Sequence, residues 1–127
     1  MTWTEKHLVK SWEEVGGCWG LYRTCLKERF DISLPTYPAI AITDVKALVR
    51  IIHEETDTVT GSWLRPATPQ EGDCVVMSSV HNVFNHVGYY LGNGLVLHST
   101  KKSNTGISKL SHLDLQGYKK YKFVRHE

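Results

Sequence analysis

Three cysteines and seven histidines are the side chains of this 127-residue chain best suited to covalent chemistry. A thiolate is a strong nucleophile, and an imidazole exchanges its proton near neutrality. Cys18 stands out by its context. It follows Gly16-Gly17 and opens a stretch in which Leu21, Tyr22, Cys25, Leu26 and Phe30 recur at helical spacing, which puts it in the first turn of a helix. Free backbone N–H groups and the positive end of the helix dipole favour a thiolate there, so the thiol pKa is expected to fall. The two glycines permit an unusual backbone that aims the side chain at a cleft, and the N–H of Cys18 can face a developing oxyanion. Cys25, two turns along on nearly the same face, and Cys74, at the start of a strand, read as core cysteines.

A thiol nucleophile needs a base, and the base works best when a third polar group fixes its tautomer. His86 and His98 lie on the two arms of the hairpin His86-Val-Gly-Tyr-Tyr-Leu-Gly-Asn-Gly-Leu-Val-Leu-His98. Whether they meet depends on register. A two-residue loop at Asn93-Gly94, closed by Gly92 and Leu95, sets His98 opposite Tyr89 and turns His86 to the other face. A three-residue loop closed by Leu91 and Leu95, or an equivalent bulge, sets His98 opposite Gly88 and puts both histidines on one face. The Gly-rich loop and the bare Gly88 favour the second register. In that arrangement His86 takes the Cys18 proton and returns one to the leaving amine, while His98 orients His86.

The elements that must position these residues divide the chain in two. A short helix over roughly residues 4–13, the Cys18 helix ending near Ser33-Leu34-Pro35, and a helix starting after Thr43 and fading after Glu55 come first. From about residue 66 the pattern turns to strands: Cys74 to Met77, His86 to Leu91, Leu95 to Thr100, Gly106 to Leu110 and Tyr121 to Arg125. Helices followed by strands indicate an α+β fold, with the N-terminal helices packed on one face of a C-terminal antiparallel sheet. The length fits a single domain over residues 1–127.

Gly17-Cys18-Trp19-Gly20-Leu21, Leu34-Pro35 after the helix, Gly72-Asp73 before a strand, and His86-Val-Gly-Tyr-Tyr-Leu-Gly-Asn-Gly with Leu97-His98-Ser99 together resemble the NlpC-type (NlpC/p-sixty) cysteine peptidases. The resemblance runs from about Gly16 to Val124, and the Cys-Trp-Gly-Leu form is similar to the version in bacteriophage tail-assembly and tail-tip proteins. It implies a papain-like fold, with Cys18 as nucleophile, His86 as base and His98 as orienting residue. The implied reaction is hydrolysis, through an acyl-enzyme, of an amide in the peptidoglycan stem peptide, between D-glutamate and a diamino acid. No metal or organic cofactor is implied. The implied partners are the stem peptide and phage tail-tip or hub proteins. The implied location is the virion tail, with synthesis in the host cytoplasm and action on the host cell wall in the periplasm. Gly17 stands where many members carry an acidic or polar residue. Only Trp3 or Trp12 is available upstream where many carry an oxyanion-stabilising Tyr.

Other readings compete with this one. Cys74, His81, His86 and His98 offer zinc ligands, but their spacing matches no compact structural zinc pattern. The formal charge of +2 argues for neither nucleic acid nor a membrane surface, and Lys101-Lys102 and Lys119-Lys120 with Lys122 read as solvated faces. No run of about 18 apolar residues occurs. The amino terminus lacks the pattern of a signal peptide, so a soluble chain without its own export signal is expected. An odd number of cysteines in a chain of this size argues against a disulfide framework. The functional alternative is a tail-tip structural or assembly protein that keeps the peptidase fold with feeble or absent activity.

Overall fold

A computed structural model of the chain describes residues 3–34, 63–78 and 86–126. In chain order these hold helix α1 (Gly17–Phe30), strands β1 (Trp63–Leu64), β2 (Cys74–Ser78), β3 (His86–Gly92), β4 (Leu95–Thr100) and β5 (Asn104–Lys109), a short 3-10 helix (Leu110–Gln116), and β6 (Lys120–His126). The expected helix after Thr43 lies outside the described residues. The described strands form one antiparallel sheet in the order β1-β6-β2-β3-β4-β5. The fold class is therefore α+β, as the order of the sequence patterns implies.

The sheet is covered on both sides, and β2 shows why. All five of its residues, Cys-Val-Val-Met-Ser, are buried, the mark of a strand with no solvent face. Cys74 and Val76 join Leu21, Tyr22, Cys25 and Leu26 of α1 in one core, with Val87, Tyr89 and Leu97 from the neighbouring strands. Val75 and Met77 point the other way, into a second core with Tyr90, Val96 and Leu113 of the short helix. That short helix was not apparent in the sequence, because only Leu113 of its residues is buried and it offers no apolar period to read. Cys25 and Cys74 are fully buried in the α1-side core, as their apolar surroundings suggest.

The expected helix over residues 4–13 is replaced by two separate turns. Val9 has φ of 60°, outside the helical region, and its N–H turns aside to the carbonyl of Thr105 at 3.0 Å. Thr105 N–H returns a bond to the carbonyl of Lys10 at 2.9 Å. Ser11 and Glu14 then form a reciprocal cap, with Glu14 N–H on Ser11 Oγ at 3.0 Å and Ser11 N–H on Glu14 Oε1 at 3.1 Å. The apolar spacing of Leu8 and Trp12 thus belongs to two turns and not to one helix face.

A buried ion pair ties the far end of the sheet to the turn before β2. Asp73, 1% exposed, accepts from Arg125 Nε at 2.6 Å and from Nη2 at 2.9 Å, and its Oδ2 also accepts the Gln70 N–H at 2.9 Å. Next to it, the carbonyl of Gly72 accepts the hydroxyl of Tyr22 at 2.7 Å, which fixes α1 to the same turn. The Gly72-Asp73 motif is therefore a joint between helix, β2 and β6.

The hairpin β3–β4 combines both of the registers considered above. Its tip is a two-residue turn, with Asn93 at φ 54° and Gly94 at φ 76°, closed by Gly92 opposite Leu95. The register then shifts between Tyr90 and Gly92, so that Leu91 is an extra residue, Tyr90 pairs with Val96 and Tyr89 with Leu97. Continued by one residue, this places His98 opposite Gly88. A Cβ on Gly88 would lie 2.5 Å from Val96 Cγ1, 3.0 Å from Met77 Cε and 3.2 Å from His98 Cβ, so glycine is required by packing. Gly88→Ala is expected to lower stability by about 1–3 kcal/mol, read from urea unfolding midpoints. Gly106→Ala, where a Cβ meets nothing within 4 Å, should change it by no more than about 0.5 kcal/mol. Equal effects of the two substitutions would contradict the close packing at Gly88.

Candidate active site

Cys18 enters the site from the start of α1. Gly16 precedes the helix at φ 80° and Gly17 continues at φ 78°, left-handed values that only glycine adopts without strain, so the chain swings into the helix sharply enough to seat the next side chain against the sheet. The thiol is 2% exposed. It receives the backbone N–H groups of Val87, Trp19 and Cys18 itself, two from the open first turn of the helix and one from the start of β3. These three donors pull the thiol pKa down. Burial pushes it up more strongly, and the balance stands at about 11. The expectation that the helix start lowers the pKa is therefore corrected: the donors are present, but desolvation of the thiolate outweighs them.

His86 and His98 are brought together. His86 begins β3 and His98 lies on β4, both buried, and His86 Nε2 is 2.8 Å from His98 Nδ1. His86 shares the sheet face of Gly88 and Tyr90, while Cys18 packs on the α1 side. The thiol meets the strand at Val87 N–H, one residue along β3 from His86. His98 engages Nε2 of His86, so Nδ1 is the ring nitrogen of His86 outside that contact. His98 uses its second nitrogen as well, with Nε2 at 2.9 Å from Ser108 Oγ, and that oxygen accepts Gln116 Nε2–H at 2.8 Å.

Tyr118 completes the enclosure. Its ring stacks on His86 at 4.9 Å between centroids and 11° between planes, and it meets His98 edge-on at 6.1 Å. Burial raises its hydroxyl pKa, and a charge on Cys18 would raise it further, so the hydroxyl lies within electrostatic reach of the thiol. Ser108, Gln116 and Tyr118 were not singled out from the sequence. No sequence signal marks them, since it is the pairing of His98 with Gly106 in the folded sheet that puts Ser108 diagonally beside His98 on the same face.

The interior is tuned to keep both imidazoles neutral. Burial lowers His86 to about 3, with the charge His98 would carry adding to it, and burial alone lowers His98 to about 4. At neutral pH the resting site therefore holds a thiol and two uncharged rings. Cys25, pushed up to about 12 by burial, and Cys74, raised well above its ordinary value by the same cause, are inert neighbours.

The upstream tryptophans are committed to packing. Trp3 sits edge-on to Tyr89 at 5.5 Å, with the Arg29 guanidinium 4.8 Å above its ring, and Trp12 lies under Lys101 Nζ at 4.9 Å. Of the side chains weighed as zinc ligands, Cys74 is buried in the α1-side core and His81 lies outside the described residues. Among the described residues no group of three or more His, Cys, Asp and Glu is placed to hold a metal ion.

A profile of the NlpC/P60 family matches residues 11–125, a span that takes in Cys18, His86 and His98. The chain belongs to the NlpC/P60 family. A search of curated proteins returns no match to this chain. NlpC/P60 domains are in general cysteine hydrolases that act on peptidoglycan, and membership supports cell-wall peptidase activity of that general kind. Among the described residues no helix is long and apolar enough to cross a membrane.

The neutral histidines give this NlpC/P60 domain a specific acid sensitivity. Each has an ordinary value of 6.5 and a depressed folded value, so its contribution to stability is complete above 6.5 and is lost as pH falls through about 4 for His98 and about 3 for His86. The carboxylates with lowered values, Glu14, Glu28 and Asp31, act further down. Urea midpoints should therefore fall between about pH 6.5 and pH 5, and the slope in that window should flatten in the double variant His86→Gln, His98→Gln. An unchanged slope in that variant would assign the acid sensitivity elsewhere.

Proposed function

We propose that the protein is a cysteine endopeptidase that hydrolyses an amide of the peptidoglycan stem peptide, between D-glutamate and the adjoining diamino acid. In this reading the nucleophile is Cys18, the base His86 and the orienting residue His98, in a papain-like arrangement of nucleophile helix against sheet. The observation that supports it is the 2.8 Å contact of His86 Nε2 with His98 Nδ1, which in this reading leaves His86 Nδ1 to serve the thiol at the start of α1.

The reaction follows from the protonation states. Because thiol and imidazole rest uncharged, proton transfer from Sγ to His86 Nδ1 accompanies attack of sulfur on the scissile carbonyl carbon. The carbonyl π electrons move to oxygen, and the N–H groups of Cys18 and Trp19, released from sulfur as it bonds to carbon, stabilise this oxyanion at the positive end of α1. Collapse breaks the C–N bond, with His86 Nδ1–H delivering its proton to the amine. A water then gives its proton to His86 and attacks the thioester carbon, releasing the carboxylic acid and returning the proton to sulfur. The site's own groups supply every proton transfer.

The setting we propose is a bacteriophage tail tip that opens the cell wall during infection, with the chain made in the host cytoplasm and delivered to the wall in the virion. The Cys18-Trp19-Gly20-Leu21 sequence supports this assignment. A second reading is favoured by one observation. The thiol is 2% exposed and its pKa stands at about 11, as suits a tail-tip assembly protein that keeps the fold with little activity.

Incubation with defined stem peptides separates the two readings. The wild-type protein is expected to release a new amino terminus on the diamino acid, and Cys18→Ala to lose at least about 10³-fold in rate. No cleavage, or identical cleavage by both proteins, would sink the peptidase reading. Binding of Cys18→Ala to tail-tip proteins in a protein without activity would support assembly.

A further inference from the structure

We infer that Ser108, clamped by Gln116, is a positioning residue that sets the direction of the hydrogen-bond chain through the two histidines, and so decides whether His86 presents a lone pair or a proton to Cys18. In its consequence for catalysis this rests on the peptidase reading above, while the order of the chain is a property of the protein with or without substrate.

The argument begins with counting protons. A neutral imidazole carries one proton on two nitrogens, so each ring donates at one and accepts at the other. Both nitrogens of His98 are engaged, Nδ1 with His86 Nε2 at 2.8 Å and Nε2 with Ser108 Oγ at 2.9 Å. Only two orders satisfy the chain. In the outward order His86 Nε2–H donates to His98 Nδ1 and His98 Nε2–H donates to Ser108 Oγ, which leaves a lone pair on His86 Nδ1. In the inward order Ser108 O–H donates to His98 Nε2 and His98 Nδ1–H donates to His86 Nε2. The His86 proton is then driven onto Nδ1, and the ring cannot act as a base toward the thiol.

Ser108 is the residue at which the order is chosen, because a hydroxyl can serve either role and an imidazole must follow it. Gln116 Nε2–H donates to Ser108 Oγ at 2.8 Å and occupies one of its two lone pairs, which holds the rotamer of Ser108. It leaves Ser108 both its O–H and a second lone pair for His98 Nε2, and a His86 that acts as base, as in the peptidase reading, requires that the lone pair accept His98 Nε2–H. This is the outward order.

The placement has structural causes. Gly106 pairs with His98, so Ser108 is its diagonal neighbour on the same face, and the short helix that follows β5 brings Gln116 back to it. Ser108 is half-buried and Gln116 exposed, so both can be replaced without opening the core.

Long-range ¹⁵N–¹H spectra of ¹⁵N-histidine protein at neutral pH read the order directly. Nε2–H forms are expected for both His86 and His98 in the wild type. Ser108→Ala should give a mixed tautomer at His98 and a loss of about tenfold or more in kcat at constant KM, short of the roughly 10⁴-fold cost of a fully wrong tautomer. Ser108→Thr, which keeps the hydroxyl, should restore both. A wild-type His98 in the Nδ1–H form, or a Ser108→Ala protein with unaltered tautomers, would overturn the inference. An Nε2–H chain in a protein that cleaves no stem peptide would uphold the chain and count against the peptidase reading alone.

Discussion

The contact between His86 and His98 depends on one extra residue. Without Leu91 bulged out of β3, the turn at Asn93-Gly94 fixes a register in which His98 faces Tyr89 and the rings lie on opposite faces. The bulge lets a tight two-residue turn coexist with a register shifted by one, and everything on that face inherits the shift. Gly88 is bare because His98 and Val96 crowd the space where its side chain would stand. Ser108 reaches His98 because β5 is registered on β4, and Tyr118 reaches His86 because the short helix delivers the chain back across the same face. A slip of one residue in β3 would disassemble the whole polar chain while leaving both strands intact.

The second constraint is burial, and it works against the first turn of α1. Three backbone N–H groups converge on the Cys18 thiol, an arrangement that stabilises a thiolate in a wet site. In the dry interior the cost of the charge exceeds what those dipoles return, and the two imidazoles meet the same penalty. Thiol and base are consequently both neutral at rest, and neither is held as half of an ion pair. In the proposed reaction nucleophile and charge therefore arise together, as the substrate carbonyl offers a place for the charge to go. Tyr118 contributes by walling off one face of His86, which helps to keep that ring neutral.

Much of this was legible in the sequence, for reasons that can be named. Cys18 was marked by its glycines and by the helical period after it, and β2 by an unbroken apolar run. The hairpin register could be reduced to two options, because Gly88 made sense in only one of them. What was not legible came from contacts between elements distant in the chain. No local period distinguishes the turns at residues 3–9 from a helix, since the helix is broken by backbone bonds between Val9, Lys10 and Thr105 some 95 residues away. The direction of the Cys18 shift is not legible in the sequence, which displays the helix donors but not the depth of burial. Ser108, Gln116 and Tyr118 are ordinary polar and aromatic residues until the register of β5 and the path of the short helix are known.

The Gly72-Asp73 pair illustrates how a motif near a site can serve it from a distance. Asp73 is almost fully buried, but it faces Arg125 and the Gln70 N–H, and it touches neither histidine in any of these bonds. Its neighbour Gly72 takes the hydroxyl of Tyr22, one turn beyond Cys18 in α1, and donates its own N–H to the carbonyl of Tyr90, on the strand that begins with His86. Helix and strand are therefore referenced to the same turn. Cys18 lies at the start of one and His86 at the start of the other, so a fixed joint at Gly72 sets their relative height. A paired, buried carboxylate is a costly way to hold a turn. Here it locks the turn from which Cys18 and His86 are both measured, and that positional role accounts for keeping a charge in the interior.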